Sequence, residues 1–313
     1  MDFMTATTNF VVPCFNAEDT LRQCIEGIQA CTGELDLVVV DNGSTDQSIQ
    51  IARSTGCDVI SAPHENVGGV RNVGAGRGQG DFIAFIDSDC VLPTNWLETG
   101  LPYFSDNNVA MVGAYHYVPS ERNNWVEEAW SFHMISAAQH GEVDWLPTRA
   151  LLVRRSAFEE TGGFDPALVS CEDADLGYRL SKRFKIIAVP ELAPVHLEDP
   201  QSLRELFFKE RWRGASGLKV ALRNLSRLSE IRSLLVAVYY LLFTALLPVS
   251  LAWAISKSQT GILVVNILLL LIPAFLIASI TSIRNGSLRR IPALFAVFLT
   301  YFFARALALI WRS

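Results

Sequence analysis

Two carboxylates, Asp87 and Asp89, flank Ser88 directly after the apolar run Phe82–Ile86. A strand ending this way delivers both acids to its carboxyl edge, where open α/β sheets bind ligands. Carboxylates with open water positions are what Mg²⁺ or Mn²⁺ prefers, and such an ion neutralises a departing diphosphate. Asp41 ends a second apolar run, 36–41, in the same manner. Between these acids lies a glycine-rich stretch, 66–80. Its glycines permit close backbone approach, and Arg71 and Arg77 offer positive charge to phosphates. The same run would equally suit a flexible surface loop. Further along, Glu172, Asp173 and Asp175 form an acidic cluster before Leu176, a pattern that favours a helix N-terminus.

These residues need a scaffold, and the first 200 positions supply its pattern. Short β-rich runs at 9–13, 36–41, 59–62, 82–87, 109–115 and 150–154 alternate with helical periodicity, which predicts an α/β fold with a mainly parallel sheet. Leu21, Cys24, Ile25 and Ile28 share one helical face, with Asn16 or Asp19 as candidate caps. Six cysteines form no CxxC pair and no metal-ligand spacing, so they read as ordinary small residues in a reduced compartment.

The order of the motifs is more specific than any one of them. Residues 12–16 (VPCFN), 38–46 (VVVDNGSTD), 66–80 (NVGGVRNVGAGRGQG) and the DSD together resemble the inverting family-two nucleotide-diphospho-sugar glycosyltransferases with a GT-A fold, over roughly the first 215 residues. The resemblance implies that Pro13, Phe15, Asn16 and Glu18 line a nucleoside pocket and that Asp41 contacts the base. It places Arg71 and Asn72 beside base and phosphate, Ser88 in the donor site, and Asp87 and Asp89 on ribose and metal. Gly162-Gly163-Phe164-Asp165 and Glu172 through Leu180 resemble the acceptor-side half of the same family, whose ED pair implies Asp173 as general base and Glu172 as its partner. His196 resembles the family's downstream metal ligand, and a neutral imidazole suits Mn²⁺ somewhat better than Mg²⁺. Arg211-Trp212 resembles the end of the QxxRW motif of processive relatives, but Phe208 stands where the Gln belongs, which speaks against processive synthesis. Arg211 and Arg213 could close over the diphosphate or meet lipid headgroups.

The rest of the chain is different in kind. Residues 1–200 carry 12 Lys and Arg against 29 Asp and Glu, whereas 201–313 carry 14 against 3. A basic segment beside apolar ones suits anionic headgroups rather than nucleic acid. Apolar segments 234–255, 261–283 and 291–310 are each near the length that spans a hydrocarbon core. Segment 202–232 mixes Leu203, Leu206, Phe207 and Leu218 with Lys209, Arg211, Arg213, Lys219, Arg223 and Arg227. It reads as interfacial helices, or as a helix packed on the globular domain with a basic solvent face.

The expected organisation is therefore a catalytic domain (1–200), an interfacial segment (201–232) and a three-helix anchor (233–313). Met1–Asn9 is polar and suggests no cleavable signal. With Arg284, Arg289 and Arg290 in one loop against Lys257 in the other, the catalytic domain should be cytoplasmic on an inner membrane, with the C-terminus outside. Arg305, near the end of its span, should snorkel. Trp125, Trp130, His133, His140 and Trp145 could stack on a sugar, though core packing is the commoner fate.

The function expected is inverting, non-processive, Mn²⁺- or Mg²⁺-assisted transfer from a nucleotide diphosphate sugar to a lipid-linked, glycolipid or polysaccharide acceptor at the membrane. The alternatives are a polyprenyl-phosphate sugar synthase, which would need little help from a base, and a non-catalytic nucleotide-sugar-binding scaffold.

Overall fold

A computed structural model describes residues 7–31, 35–121, 124–137 and 139–310, so most of the polar stretch Met1–Asn9 lies outside the described residues. In chain order the elements are β1 (Thr8–Cys14), α1 (Leu21–Gln29), β2 (Leu35–Asp41), α2 (Ser48–Ser54), β3 (Asp58–Ser61), α3 (Val67–Arg77), β4 (Phe82–Ile86), β5 (Cys90–Val91), α4 (Trp96–Gly100), β6 (Val109–Gly113), β7 (Val118–Pro119), α5 (Trp125–Ser136), β8 (Gly141–Val143), β9 (Ala150–Arg154), α6 (Arg155–Thr161), α7 (Glu172–Leu180), β10 (Lys185–Ala188), β11 (Val195–His196), α8 (Leu203–Arg213), α9 (Gly217–Arg223), α10 (Leu228–Lys257), α11 (Gly261–Arg284) and α12 (Ile291–Ala308). They form two units, one of residues 1–120 and 137–198, the other of 121–136 and 199–313. The assignment of α5 to the second unit was not legible in the sequence.

The first unit is an eight-stranded sheet in the order β3-β2-β1-β4-β9-β6-β10-β8. Strands β3, β2, β1 and β4 run parallel, while β9 is antiparallel to both β4 and β6. Alternate residues feed two separate cores. Phe10, Val12, Val39, Ala84 and Ile86 pack with Leu21, Ile25 and Ile28 of α1, whereas Val11, Val38, Val40, Ile83 and Phe85 pack with Val70 of α3. Burial on both faces explains why these strands read as continuous apolar runs. Helix α1 begins at Thr20, with no side-chain cap, and not at Asn16 or Asp19. Asn16 is instead in the left-handed region (φ 49°) and uses its side chain elsewhere.

The glycine-rich stretch folds as α3, capped by Asn66, whose Oδ1 accepts from Gly69 N at 2.8 Å. Glycine is required where α3 meets the sheet. A Cβ on Gly74 would lie 2.3 Å from Val11 Cγ1, and one on Gly68 would press on Phe164 at 3.1 Å. The loop alternative is thereby replaced by a packed helix. The six cysteines are all free, and Cys14, Cys24, Cys31 and Cys90 are buried as small core residues.

The second unit is helical. Leu228–Lys257, Gly261–Arg284 and Leu288–Ala308 are long and apolar enough to cross a membrane. Leu235, Val238, Leu242, Val249, Val264, Val265 and Leu268 are exposed, the composition expected of a lipid-facing surface. Two polar contacts join α10 and α11: Asn266 Nδ2 donates to Ser250 Oγ (3.2 Å) and Tyr239 Oη to the Leu269 carbonyl (2.6 Å). Helix α12 packs on Leu206 of α8 and Trp130 of α5 through Val297, Phe298 and Phe302.

Arg305 does not simply snorkel. Its Nε lies 3.3 Å from Oε2 of Glu210 on α8, and its guanidinium lies 5.3 Å from the Tyr301 ring centroid. Glu210 is 1% exposed and accepts from Arg213 Nη1 at 2.7 Å, so a buried carboxylate takes the charge that snorkelling would have had to carry to water. Trp130 and His133 also pack in this core, His133 against Phe298 with ring centroids 4.7 Å apart, as the packing alternative anticipated.

Candidate active site

Strand ends set the site. Parallel pairing puts Cys14 opposite Asp41 and Asp41 opposite Ser61, so the loops after β1 and β2 leave the sheet side by side. They are stitched reciprocally. Asn16 Oδ1 accepts from Thr45 N (2.8 Å), Ser44 Oγ from Asn16 N (3.0 Å), Asp46 Oδ2 from Glu18 N (3.0 Å) and Glu18 Oε2 from Gln47 N (3.0 Å). Asp41, 2% exposed, accepts from the backbone N–H groups of Gly43 and Ser44, which makes it the organiser of its own turn. Of the residues expected to line the nucleoside pocket, Phe15 presents a ring that is 61% exposed and Pro13 is half-buried. Asn16, Glu18 and Asp41 are engaged in holding the loops.

The DSD segment is a tight turn between β4 and β5, closed by Cys90 N donating to the Asp87 carbonyl at 3.0 Å. It sends its two acids to different partners. Asp87 Oδ1 meets Arg71 Nη2 at 2.6 Å, and Arg71 Nη1 meets Glu172 Oε1 at 2.7 Å, so a guanidinium 3% exposed bridges α3, the DSD turn and the first turn of α7. Burial works against its charge, but Asp87 and Glu172 outweigh burial and raise its pKa.

Asp89 faces the other way. β11 pairs antiparallel with β5, placing His196 opposite Cys90, and Leu197 N donates to the Asp89 carbonyl at 2.8 Å. His196 Nε2 thereby comes to 3.3 Å from Asp89 Oδ2. Ligand atoms of Asp89, Cys90 and His196 all lie within 4.8 Å of one another. The Cys90 thiol is a poor member of that set, because burial and then the Asp89 and Asp87 charges push its pKa well up and hold it protonated. A carboxylate and an imidazole remain, a donor set that suits a divalent cation. Asp87, expected to share the metal, falls outside this cluster and is held by Arg71.

Asp173 stands beside Glu172 in the first turn of α7, which is preceded by Cys171 at φ 60°. Burial pushes its carboxyl up to about 7, and the adjacent Glu172 charge pushes in the same direction. A carboxyl in that range is poised to accept a proton near neutrality.

With this geometry in place, comparison with known proteins becomes informative. Residues 9–162 match the family model for glycosyl transferase family 2. These residues carry a family 2 glycosyltransferase domain. The chain is 28% identical over 226 residues to the pre-mycofactocin glycosyltransferase of Mycobacterium tuberculosis, a match covering 68% of this chain and 47% of that protein. It is likewise 28% identical over 212 residues to glycosyltransferase AglE of Haloferax volcanii, covering 61% of this chain and 70% of that one. The chain thus spans about half the length of the mycobacterial relative. Among solved structures it is similar to a mannosyltransferase of Pyrobaculum calidifontis in complex with GDP-Man and Mn²⁺, with TM-score 0.62, 15% identity, and coverage of 98% of this chain and 87% of that one. At that identity the likeness speaks to the fold, which is GT-A with C-terminal apolar helices.

Within the glycosyltransferase domain several expected contacts are redirected. Asn72 does not reach toward a phosphate: its Nδ2 donates to the Phe164 carbonyl (2.9 Å) and its Oδ1 accepts from Phe164 N (3.0 Å), fastening α3 to the GGFD segment. Arg77 pairs with Asp58 at 2.9 Å on the surface, so it offers no charge to the site. Ser88 is half-buried within the DSD turn. Arg211 and Arg213 belong to the second unit, Arg211 over the Phe208 ring (5.1 Å) and Arg213 on Glu210. Sequence reasoning missed Tyr117, whose buried ring packs at a tilt against His196 with centroids 4.8 Å apart, and Arg149, whose guanidinium lies 5.0 Å above Tyr117. An isolated Tyr and an Arg just before a strand carry no motif that would have found them.

Proposed function

We propose that this chain transfers a sugar, with inversion, from a nucleotide diphosphate donor to an acceptor delivered at a membrane. One observation carries the reading. The Asp89–His196 pair and Asp173 are tied to a single connected framework, because Asp87, in the same DSD turn as Asp89, and Glu172, next to Asp173, share the guanidinium of Arg71. A cation site and a base held by one rigid link are what displacement at an anomeric carbon requires.

Asp89 and His196 would hold Mn²⁺ or Mg²⁺, which supplies charge neutralisation for the diphosphate. Asp173 takes the proton of the acceptor hydroxyl as that oxygen forms its bond to the anomeric carbon. The bond from that carbon to the diphosphate oxygen breaks on the opposite face, and the nucleoside diphosphate leaves with the bonding pair. Phe15, exposed after β1 beside the stitched loops, would stack on the base. The mannosyltransferase with GDP-Man and Mn²⁺ supports both a nucleotide-sugar donor and a divalent ion.

Six residues, 197–202, separate His196 from α8 of the second unit. A catalytic strand followed by α8, α9 and then three membrane-length helices favours a lipid-linked or otherwise membrane-delivered acceptor, with the catalytic domain on the cytoplasmic side. The exposed Phe208, Trp212, Leu218 and Leu222 among the basic residues of α8 and α9, with Leu225 just beyond, support an interfacial role for that segment.

The test is Mn²⁺-dependent release of nucleoside diphosphate from UDP-, GDP- and dTDP-sugars by detergent-solubilised protein, with and without membrane lipid extract. Release from one donor, stimulated by lipid and abolished in Asp89→Ala and Asp173→Asn, is the expected result. Undiminished release in Asp173→Asn would leave the proposed base without a role. Binding without turnover in the wild type would favour a scaffold.

A further inference from the structure

The donor site, as its described residues define it, is short of positive charge. Asp87 and Glu172 already share Arg71, and Asp89 and Asp173 lie within two residues of them in the sequence. A nucleoside diphosphate brings at least two further negative charges. Other arginines of β9, α6 and α7 are engaged elsewhere: Arg154 donates to the Phe104 and Val109 carbonyls, Arg155 to the Ala75 carbonyl, and Arg179 pairs with Asp175.

Arg149 is placed differently. Its carbonyl accepts from Asp87 N at 3.0 Å, so its backbone is hydrogen-bonded directly to the DSD turn. The guanidinium is fixed from two sides, lying 5.0 Å above the Tyr117 ring that packs against His196, and donating from Nη2 to the Tyr115 carbonyl at 3.2 Å. No carboxylate pairs with it among the described residues, and Nη1 has no hydrogen-bond partner among them. The group is half-buried, which strengthens its field without closing it to a ligand. Its charge acts on both Cys90 and Asp173, as expected of a cation lying near the metal pair and the base alike.

We propose that Arg149 is a phosphate-binding cation of the donor site, holding the diphosphate of the nucleotide sugar beside the Asp89–His196 pair. The inference rests on the glycosyltransferase reading and adds to it a residue that no motif marks. A planar guanidinium held in place by an aromatic face and a carbonyl suits phosphate oxygens, which accept parallel N–H bonds.

The experiment compares binding of UDP and GDP with binding of uridine and guanosine by full-length solubilised protein, by calorimetry, in MnCl₂ and again in EDTA. Arg149→Met is expected to weaken the bound diphosphate by roughly 10- to 100-fold in both media, the size of a lost charge-assisted hydrogen bond. Nucleoside affinity should be unchanged. Arg149→Lys, which keeps the charge but not the fork, should fall between. Diphosphate affinity equal to wild type in Arg149→Met would overturn the proposal and leave the residue for an acceptor phosphate. Parallel loss of nucleoside and diphosphate binding in both variants would also overturn it, marking Arg149 as structural support for Tyr117. If the wild type binds neither UDP nor GDP, the donor reading itself fails, a result distinct from either of these.

Discussion

The carboxyl of Asp173 has been pushed to about 7, so pH should switch the proposed base on and off within a range where the fold persists. With that midpoint, about nine-tenths of the sites carry the carboxylate at pH 8, about a tenth at pH 6 and about a hundredth at pH 5. The base is active when ionised, so kcat/KM should fall about tenfold per unit below pH 6.5 and flatten above pH 8. Glu172→Gln removes the like charge that adds to burial in holding the midpoint up, and should move the acid limb to lower pH. Stability should run the other way. The folded value lies above the ordinary carboxyl value of 3.8, so the ionised form is disfavoured in the fold. The stability associated with the neutral carboxyl is full below about pH 4 and is lost as pH rises through about 7. Moving the carboxyl from 3.8 to about 7 corresponds to at most roughly 4 kcal/mol. Asp173→Asn should therefore be inactive yet melt at a higher temperature than wild type at pH 8, with the difference vanishing near pH 4. The assays are nucleoside diphosphate release between pH 5 and 8.5 and thermal unfolding by tryptophan fluorescence. A wild-type rate that stays flat from pH 5.5 to 8, or an acid limb unchanged in Glu172→Gln, would refute the reasoning.

Arg71→Met strips Asp87 and buried Glu172 of their shared counter-ion and should destabilise the domain by about 3–5 kcal/mol, seen as a lower melting temperature and poor yield. His196→Ala should weaken Mn²⁺ binding at least about tenfold, read by paramagnetic resonance titration, while nucleoside binding without metal is retained. Gly74→Ala forces a methyl against Val11 and should cost about 1–3 kcal/mol, measured by the same thermal unfolding, with activity following the folded fraction. Glu210→Leu removes the carboxylate that Arg305 and Arg213 face, and should lower the melting temperature of solubilised protein. Glu210→Asp should recover part of that loss.

Much of the scaffold could be read from residue order, because its signals are local. Apolar runs buried on both faces, terminating in Asp41 and Asp87, marked β2 and β4 to within a residue, and a run of about 20 apolar residues can hardly be anything but a membrane-length helix. The motif order sufficed for the family and for the identity of the acids at the strand ends. The two-residue strands β5, β7 and β11 were invisible, since so short an element has no period of its own and exists only by pairing. Yet β11 is what carries His196 across 106 intervening positions to Asp89.

Side-chain fates were likewise decided by tertiary structure. Nothing in the sequence says that Asn72 will clamp Phe164, that Asp41 will close its own turn, or that Arg71 will bridge two acids instead of facing a phosphate. Each of these groups has several possible partners, and the choice depends on which backbone groups the sheet order brings within about 3 Å. The same holds for Arg305, whose cost in an apolar helix was plain from composition but whose answer, a buried Glu210 nearly one hundred residues earlier, was supplied by helix packing. Composition and order determined which chemistry the chain could hold; long-range pairing decided which residues were left to perform it, because a hydrogen-bonding group engaged by the fold is no longer available to a ligand.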